Sequence, residues 1–137
     1  MKKIVSSHDV GLDDMEFLYD MLASRPECVK ISSKAPMPTW DEHLTFWADR
    51  PYRYARVIKV GDKPAGYCYI SRNDPPEIAV HLIPEHQRHG IGTRVFKVLL
   101  DMTEGKGVAN ISQRNEMARN FLKSLGFNQI QETYSHE

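Results

Sequence analysis

The chain has 137 residues, 41% hydrophobic and 26% charged, with 18 Lys plus Arg against 18 Asp plus Glu. That length supports one domain over residues 1–137, with a core that needs neither disulfides nor a structural metal. Zero net charge excludes a general attraction to nucleic acid or membrane, so any anion site must be local.

The opening, MKKIVSSHDV, lacks the apolar run of a secretory signal, and no stretch approaches a membrane span. Cys28 and Cys68 match no metal spacing and read as reduced thiols, so a cytoplasmic location is expected. A short first strand is expected at 2–6. In LDDMEFLYDMLASRP, Leu12, Met15, Leu18, Tyr19 and Leu22 recur at helical spacing, with Pro26 just beyond. After the turn-rich SSKAPMP, Thr39 can cap a second helix, WDEHLTFWADR, closed by Pro51.

The period then changes. YRYARVIKV and AGYCYIS are β-rich runs joined by GDKP, a hairpin signature, and EIAVHLI follows RNDPP as a further strand. Residues 90–104 read as a helix with Ile91, Val95, Val98, Leu99 and Met102 on one side. GKG breaks it, VANIS reads as a short strand, and NEMARNFLKSLGF as a helix stopped at Gly126. NQIQETY is expected as a last strand. The order β-α-α-β-β-β-α-β-α-β predicts a mixed α/β (α+β) layer fold.

The stretch PEHQRHGIG lies between a strand and a helix. A helix start leaves backbone N–H groups unpaired and carries partial positive charge, which suits a phosphate. Gly90 and Gly92 permit close approach, Arg88 adds a fixed cation and His89 a titratable one. That many donors point to a diphosphate. The Gly-Lys-Ser/Thr of a P-loop is absent, and GIGTRV has Val95 where a dinucleotide fingerprint has its third glycine, so neither ligand class is expected.

QRHGIG, 87–92, is similar to the Gln/Arg-x-x-Gly-x-Gly/Ala loop of the GNAT superfamily of N-acetyltransferases. NEMARNFLKSLGF, 115–127, resembles the second signature of that superfamily, and the element order resembles its fold over nearly the whole chain. The resemblance implies a GNAT-like fold truncated after the sixth strand, with acetyl-CoA as acetyl donor and a primary amine as acceptor. It assigns Leu82 and Ile83 to the pantetheine, and Gln87, Arg88, His89, Gly90, Ile91, Gly92 and Thr93 to the pyrophosphate. Asn115 and Phe121 would flank the pantetheine arm.

Period-two alternation in EIAVHLI puts Ile78, Val80 and Leu82 on one apolar face. Glu77, Ala79, His81 and Ile83 share the other. Two titratable groups on a central strand are costly unless that face lines a polar cavity. Glu77 resembles by position the general base of histone-acetylating relatives, acting directly or through water; the plain alternative is a solvated glutamate at a strand end. His81 competes, since its ordinary pKa suits proton transfer near neutrality, against a structural hydrogen-bonded role. Four residues of strand span about 13 Å, so the two are not expected to touch one proton.

Two departures from the family pattern stand out. Leu122 occupies the position where many members place a tyrosine that protonates the leaving thiolate, with Tyr134 or water as substitutes. This favours an alternative, a catalytically inactive GNAT-like protein that binds acyl-CoA or a partner. The chain also stops before the seventh strand that in the family helps wall the acceptor site, so either a partner chain supplies it, as in a homodimer, or the acceptor site is open. His81, His86 and His89 lie close together, but with no cysteine nearby and Arg88 among them no metal site is expected. HLTFWADRPYRYARV mixes aromatics with arginines, yet Trp40, Leu44 and Trp47 fit one helix side and Tyr52 and Tyr54 alternate in a strand. Core and rim packing explains them without nucleic acid. In the family the stretch TWDEHLTFW commonly lines the acceptor pocket. It resembles loosely enzymes acting on amino-sugar nucleotides and others acting on protein N-termini.

Overall fold

A computed structural model describes residues 5–25, 36–111, 115–132 and 134. They fall into two compact units, one within Met1–Arg25 and Lys34–Asn110, the other within Pro26–Ser33 and Ile111–Glu137.

The first unit is built on an antiparallel sheet in the order β1-β2-β3-β4, with β1 Val5–Asp9, β2 Tyr52–Val60, β3 Lys63–Ser71 and β4 Ile78–Leu82. The β2–β3 hairpin turns at Gly61, whose φ of 64° lies in the region that a side chain disfavours. Helices α1, Met15–Ala23, and α2, Trp40–Ala48, cover one face of the sheet. Met15, Leu18 and Tyr67 are buried there, with Leu44, Trp47 and Tyr69 packed against them. The start of α2 is fixed by a capping box: the Thr39 hydroxyl accepts from the Glu42 amide, and the Glu42 carboxylate accepts from the Thr39 amide. Helix α3, Ile91–Met102, buries Ile91, Phe96 and Leu99. It stops where Glu104 and Gly105 turn to positive φ and the Gly105 amide donates back to the Leu100 carbonyl.

In the second unit α4, Glu116–Ser124, starts at an Asn115 cap whose Oδ1 accepts from the Ala118 amide. It ends at Gly126, φ 90°, with the Phe127 amide donating to the Leu122 carbonyl.

The mixed α/β class is the expected one, and several details differ. The first strand is described from Val5 and runs to Asp9, residues 2–4 lying outside the described residues, and Leu12 lies outside the α1 stripe in a 3-10 turn, 86% exposed. Tyr52 and Tyr54 do not share a face. A register shift between them pairs Tyr52 with Ser71 and Tyr54 with Ile70, and neighbouring residues of β3 point to opposite sides. On α3, Val98 and Met102 lie at the exposed border of the stripe, whose centre runs through Phe96. In α2 the buried side chain is His43, its Nε2 2.9 Å from the Met15 carbonyl, while Trp40 stays at the rim. The strand expected in VANIS reduces to one parallel bridge between Glu77 and Val108, and Ser112 lies outside the described residues. No strand forms over 128–132, so the last expected strand is absent from the described residues.

Candidate functional site

The loop between β4 and α3 closes on itself before the helix begins. The Gln87 side chain donates to the Leu82 carbonyl at 3.0 Å, tying the loop to the strand end. Arg88 at φ 64° and Gly90 at φ 80° then bend the backbone through the left-handed region. Gly90 is the N-cap of α3, and no side chain caps that end. The first helical bond is Arg94 amide to Gly90 carbonyl, 3.1 Å, so the amides of Ile91, Gly92 and Thr93 have no intrahelical acceptor. No acidic residue sits in the first turn, while Arg88 and His89 stand exposed beside it. An uncapped helix start flanked by cations is an anion cradle. The φ of 80° favours glycine at position 90. At Gly92 a Cβ would meet only Leu82 Cδ1, at 3.6 Å, so nothing inside the chain demands glycine there.

Next to this loop, β4 has an open edge. Glu77 accepts from the Ser71 amide and Ile83 donates to the Ala65 carbonyl, both at 2.8 Å, so the odd-numbered residues bond to β3. The even-numbered ones face away, as the Ile78 amide does when it donates to the Val108 carbonyl, 2.8 Å. Gly107 makes that approach close: a Cβ there would sit 3.0 Å from Ile78 Cδ1. Beyond the bridge β4 has no further strand partner among the described residues. The Val80 N–H and C=O and the Leu82 N–H therefore line an unpaired edge, whereas the Ile83 amide belongs to the sheet. Of the two residues that the resemblance assigns to the pantetheine, Leu82 and Ile83, the first lies on this edge. Val80 emerges only once the ladder fixes which parity points outward.

On the α1/α2 side of the sheet, Glu77 and His81 stand among tyrosines. The Tyr69 hydroxyl donates to Glu77 Oε1 at 2.6 Å, and the Asn110 amide donates to Oε2. The Glu77 amide donates to the Ser71 hydroxyl. The His81 ring tilts against Tyr67, 4.9 Å between centroids, and lies 6.2 Å from Tyr69, which stacks at 3.9 Å on Tyr52. Burial, aided by the Arg25 cation and opposed by the Glu77 carboxylate, lowers the His81 pKa to about 4. The imidazole is neutral at physiological pH. Burial also pushes Tyr67 up to about 12, and burial together with the hydrogen bond to Glu77 pushes Tyr69 higher still, so both remain phenols. The strand does separate Glu77 from His81, yet the Tyr69 side chain touches the carboxylate with its hydroxyl and faces the imidazole with its ring. Sequence reasoning missed Tyr69 and Asn110, because register and loop path decide their convergence.

Asn115 is occupied as the α4 cap, Phe121 is partly buried on α4, and Leu122 is the acceptor of that helix's closing bond. Tyr134 is 85% exposed and donates to the Glu132 carboxylate. Among the described residues, no group of three or more His, Cys, Asp or Glu could hold a metal, and no helix is long and apolar enough to cross a membrane.

Residues 15–127 match the model of the acetyltransferase (GNAT) family. No curated protein matches the chain. Among solved structures, a domain from Methanocaldococcus jannaschii superposes with a TM-score of 0.78 at 20% identity, covering 96% of this chain and 92% of that one. An acetyltransferase from Thermus thermophilus gives 0.74 at 19% identity, with coverage of 96% and 92%. Spermidine N-acetyltransferase from Vibrio cholerae, in complex with CoA and spermine, gives 0.72 at 15% identity, covering 93% of this chain and 82% of that one. At these identities the likeness is one of fold.

Proposed function

Since the chain belongs to the GNAT acetyltransferase family, whose model spans most of its length, we propose that it transfers an acetyl group from acetyl-CoA to a primary amine. The observation that carries this reading is the uncapped start of α3, with Gly90 at φ 80°, beside the open edge of β4. That anion cradle and the β4 edge, unpaired at Val80 and Leu82 among the described residues, suit a ligand with a diphosphate and an amide-bearing arm. The family match runs through both compact units and supports reading them as one domain.

The donor supplies an acetyl thioester, and orientation and proton handling fall to the chain. The amides of Ile91, Gly92 and Thr93, with Arg88 and His89, hold the pyrophosphate, and Gln87 fixes the loop that presents them. Val80 and Leu82 offer backbone groups to the pantetheine. The motif resemblance, and not the geometry, assigns Asn115 and Phe121 to that arm. Glu77 takes the proton of the attacking ammonium, directly or through one water, as the C–N bond forms and the C–S bond breaks. His81, neutral and ringed by tyrosines, is the competing acceptor.

A second reading, acyl-CoA binding without turnover, is favoured by Leu122, which brings no hydroxyl to the second signature. Thiol release from acetyl-CoA, measured against polyamines, amino sugars, aminoglycosides and peptides, separates the two. The expected result is turnover on at least one amine, lowered roughly 100-fold or more in Glu77→Gln. Binding without turnover on any amine supports the second reading. Full turnover in Glu77→Gln moves the proton to His81 or water.

A further inference from the structure

The carboxylate of Glu77 is held from both sides of β4. Tyr69 comes from β3, where it pairs with Ala79, and reaches diagonally across the ladder to Oε1. Asn110 comes from the opposite flank, two residues past Val108, and reaches Oε2. Among the described residues the one bridge between this flank and the β4 segment is at Glu77, so Asn110 sits where the two stretches part. Among the described residues each oxygen accepts one hydrogen bond, and a carboxylate oxygen has two lone-pair sites. One site on each oxygen is therefore committed to orientation and one is left over. The Tyr69 donor is itself fixed, since its ring stacks on Tyr52 and its hydroxyl stays protonated.

We infer that Tyr69 and Asn110 are positioning residues for acetyl transfer: they clamp the Glu77 carboxylate at the mouth of the open β4 edge, one oxygen each, so that its remaining lone pairs meet the acceptor ammonium. The inference rests on the reading of Glu77 as the proton acceptor. Without either donor the carboxylate is free to rotate about its side chain, and the fraction of time it spends in the productive orientation falls.

The test is a double-mutant cycle on kcat, using the panel amine that the wild-type protein acetylates fastest, joined to a measurement needing neither donor nor acceptor. Tyr69→Phe keeps the ring stack and removes one bond; it is expected to lower kcat about tenfold while KM for acetyl-CoA stays within about twofold. In the Glu77→Gln background the same change is expected to cost nothing further. Asn110→Ala is expected to behave alike. In the ligand-free protein, the Asn110 side-chain amide resonances are expected to move on Glu77→Ala and, by a smaller amount, on Tyr69→Phe. Equal losses in both backgrounds, or unchanged kcat in Tyr69→Phe, overturn the inference. If Glu77→Gln retains full turnover, the proton-acceptor reading fails. If Glu77→Gln is impaired but Tyr69→Phe and Asn110→Ala are not, only the clamp fails. Asn110 resonances indifferent to Glu77→Ala remove the clamp whatever the kinetics.

Discussion

At the scale of single residues, His81 shows how position changes chemistry. An unfolded histidine titrates near 6.5, whereas burial holds folded His81 at about 4. Between those values the unfolded chain binds a proton that the folded chain does not, so His81 makes stability fall as pH drops from about 6.5 to 4. The slope from this one group is at most about 1.4 kcal/mol per pH unit. His81→Phe keeps a ring against Tyr67 and removes the titration, so the loss of urea stability between pH 6.5 and 4.5 should be shallower in the variant. An unchanged slope would mean that His81 is solvated in the folded chain. His81 and Glu77 were both legible as titratable groups on one strand face, because alternation alone fixes which side chains share it. Their partners were not: Tyr69 is 8 residues from Glu77 and Asn110 is 33 away, and only the antiparallel register and the path after α3 bring them together.

Among the elements, those with strong local determinants were legible. The Thr39–Glu42 capping box, the turn at Gly61 and the glycine before α3 each set a boundary by chemistry within a few residues. Elements that depend on distant partners read less well. VANIS has strand composition but its described residues pair at one point only, and the alternation of Tyr52 and Tyr54 is broken by a register shift that no local rule announces. Gly66 is a further case: it reads as an ordinary strand residue, yet a Cβ there would lie 2.1 Å from the His81 backbone carbonyl. Since backbone cannot yield as a side chain tip can, Gly66→Ala should cost roughly 2–4 kcal/mol in urea unfolding, by prising β3 from β4. A loss below about 0.5 kcal/mol would show that the β3–β4 ladder tolerates what its geometry excludes.

For the whole molecule, the order of helices and strands places an uncapped helix start and an open strand edge at the same end of the sheet, and both belong to the single β4–loop–α3 segment. Gly90, at positive φ, makes the turn from that strand end into the helix in a chain with no net charge. Family and fold class were readable because the loop and the second signature are local motifs. The acceptor was not, because the tyrosines beside Glu77 and His81 are brought together from β2 and β3. The central claim is that the α3 start binds the pyrophosphate of CoA, and titration calorimetry of CoA into wild-type and Gly90→Glu protein tests it most directly. With both proteins folded by circular dichroism, saturable one-to-one binding to the wild type and a loss of roughly 100-fold, about 2.7 kcal/mol, in Gly90→Glu are predicted. Equal affinity in the two proteins, or no saturable binding to the wild type, would contradict it.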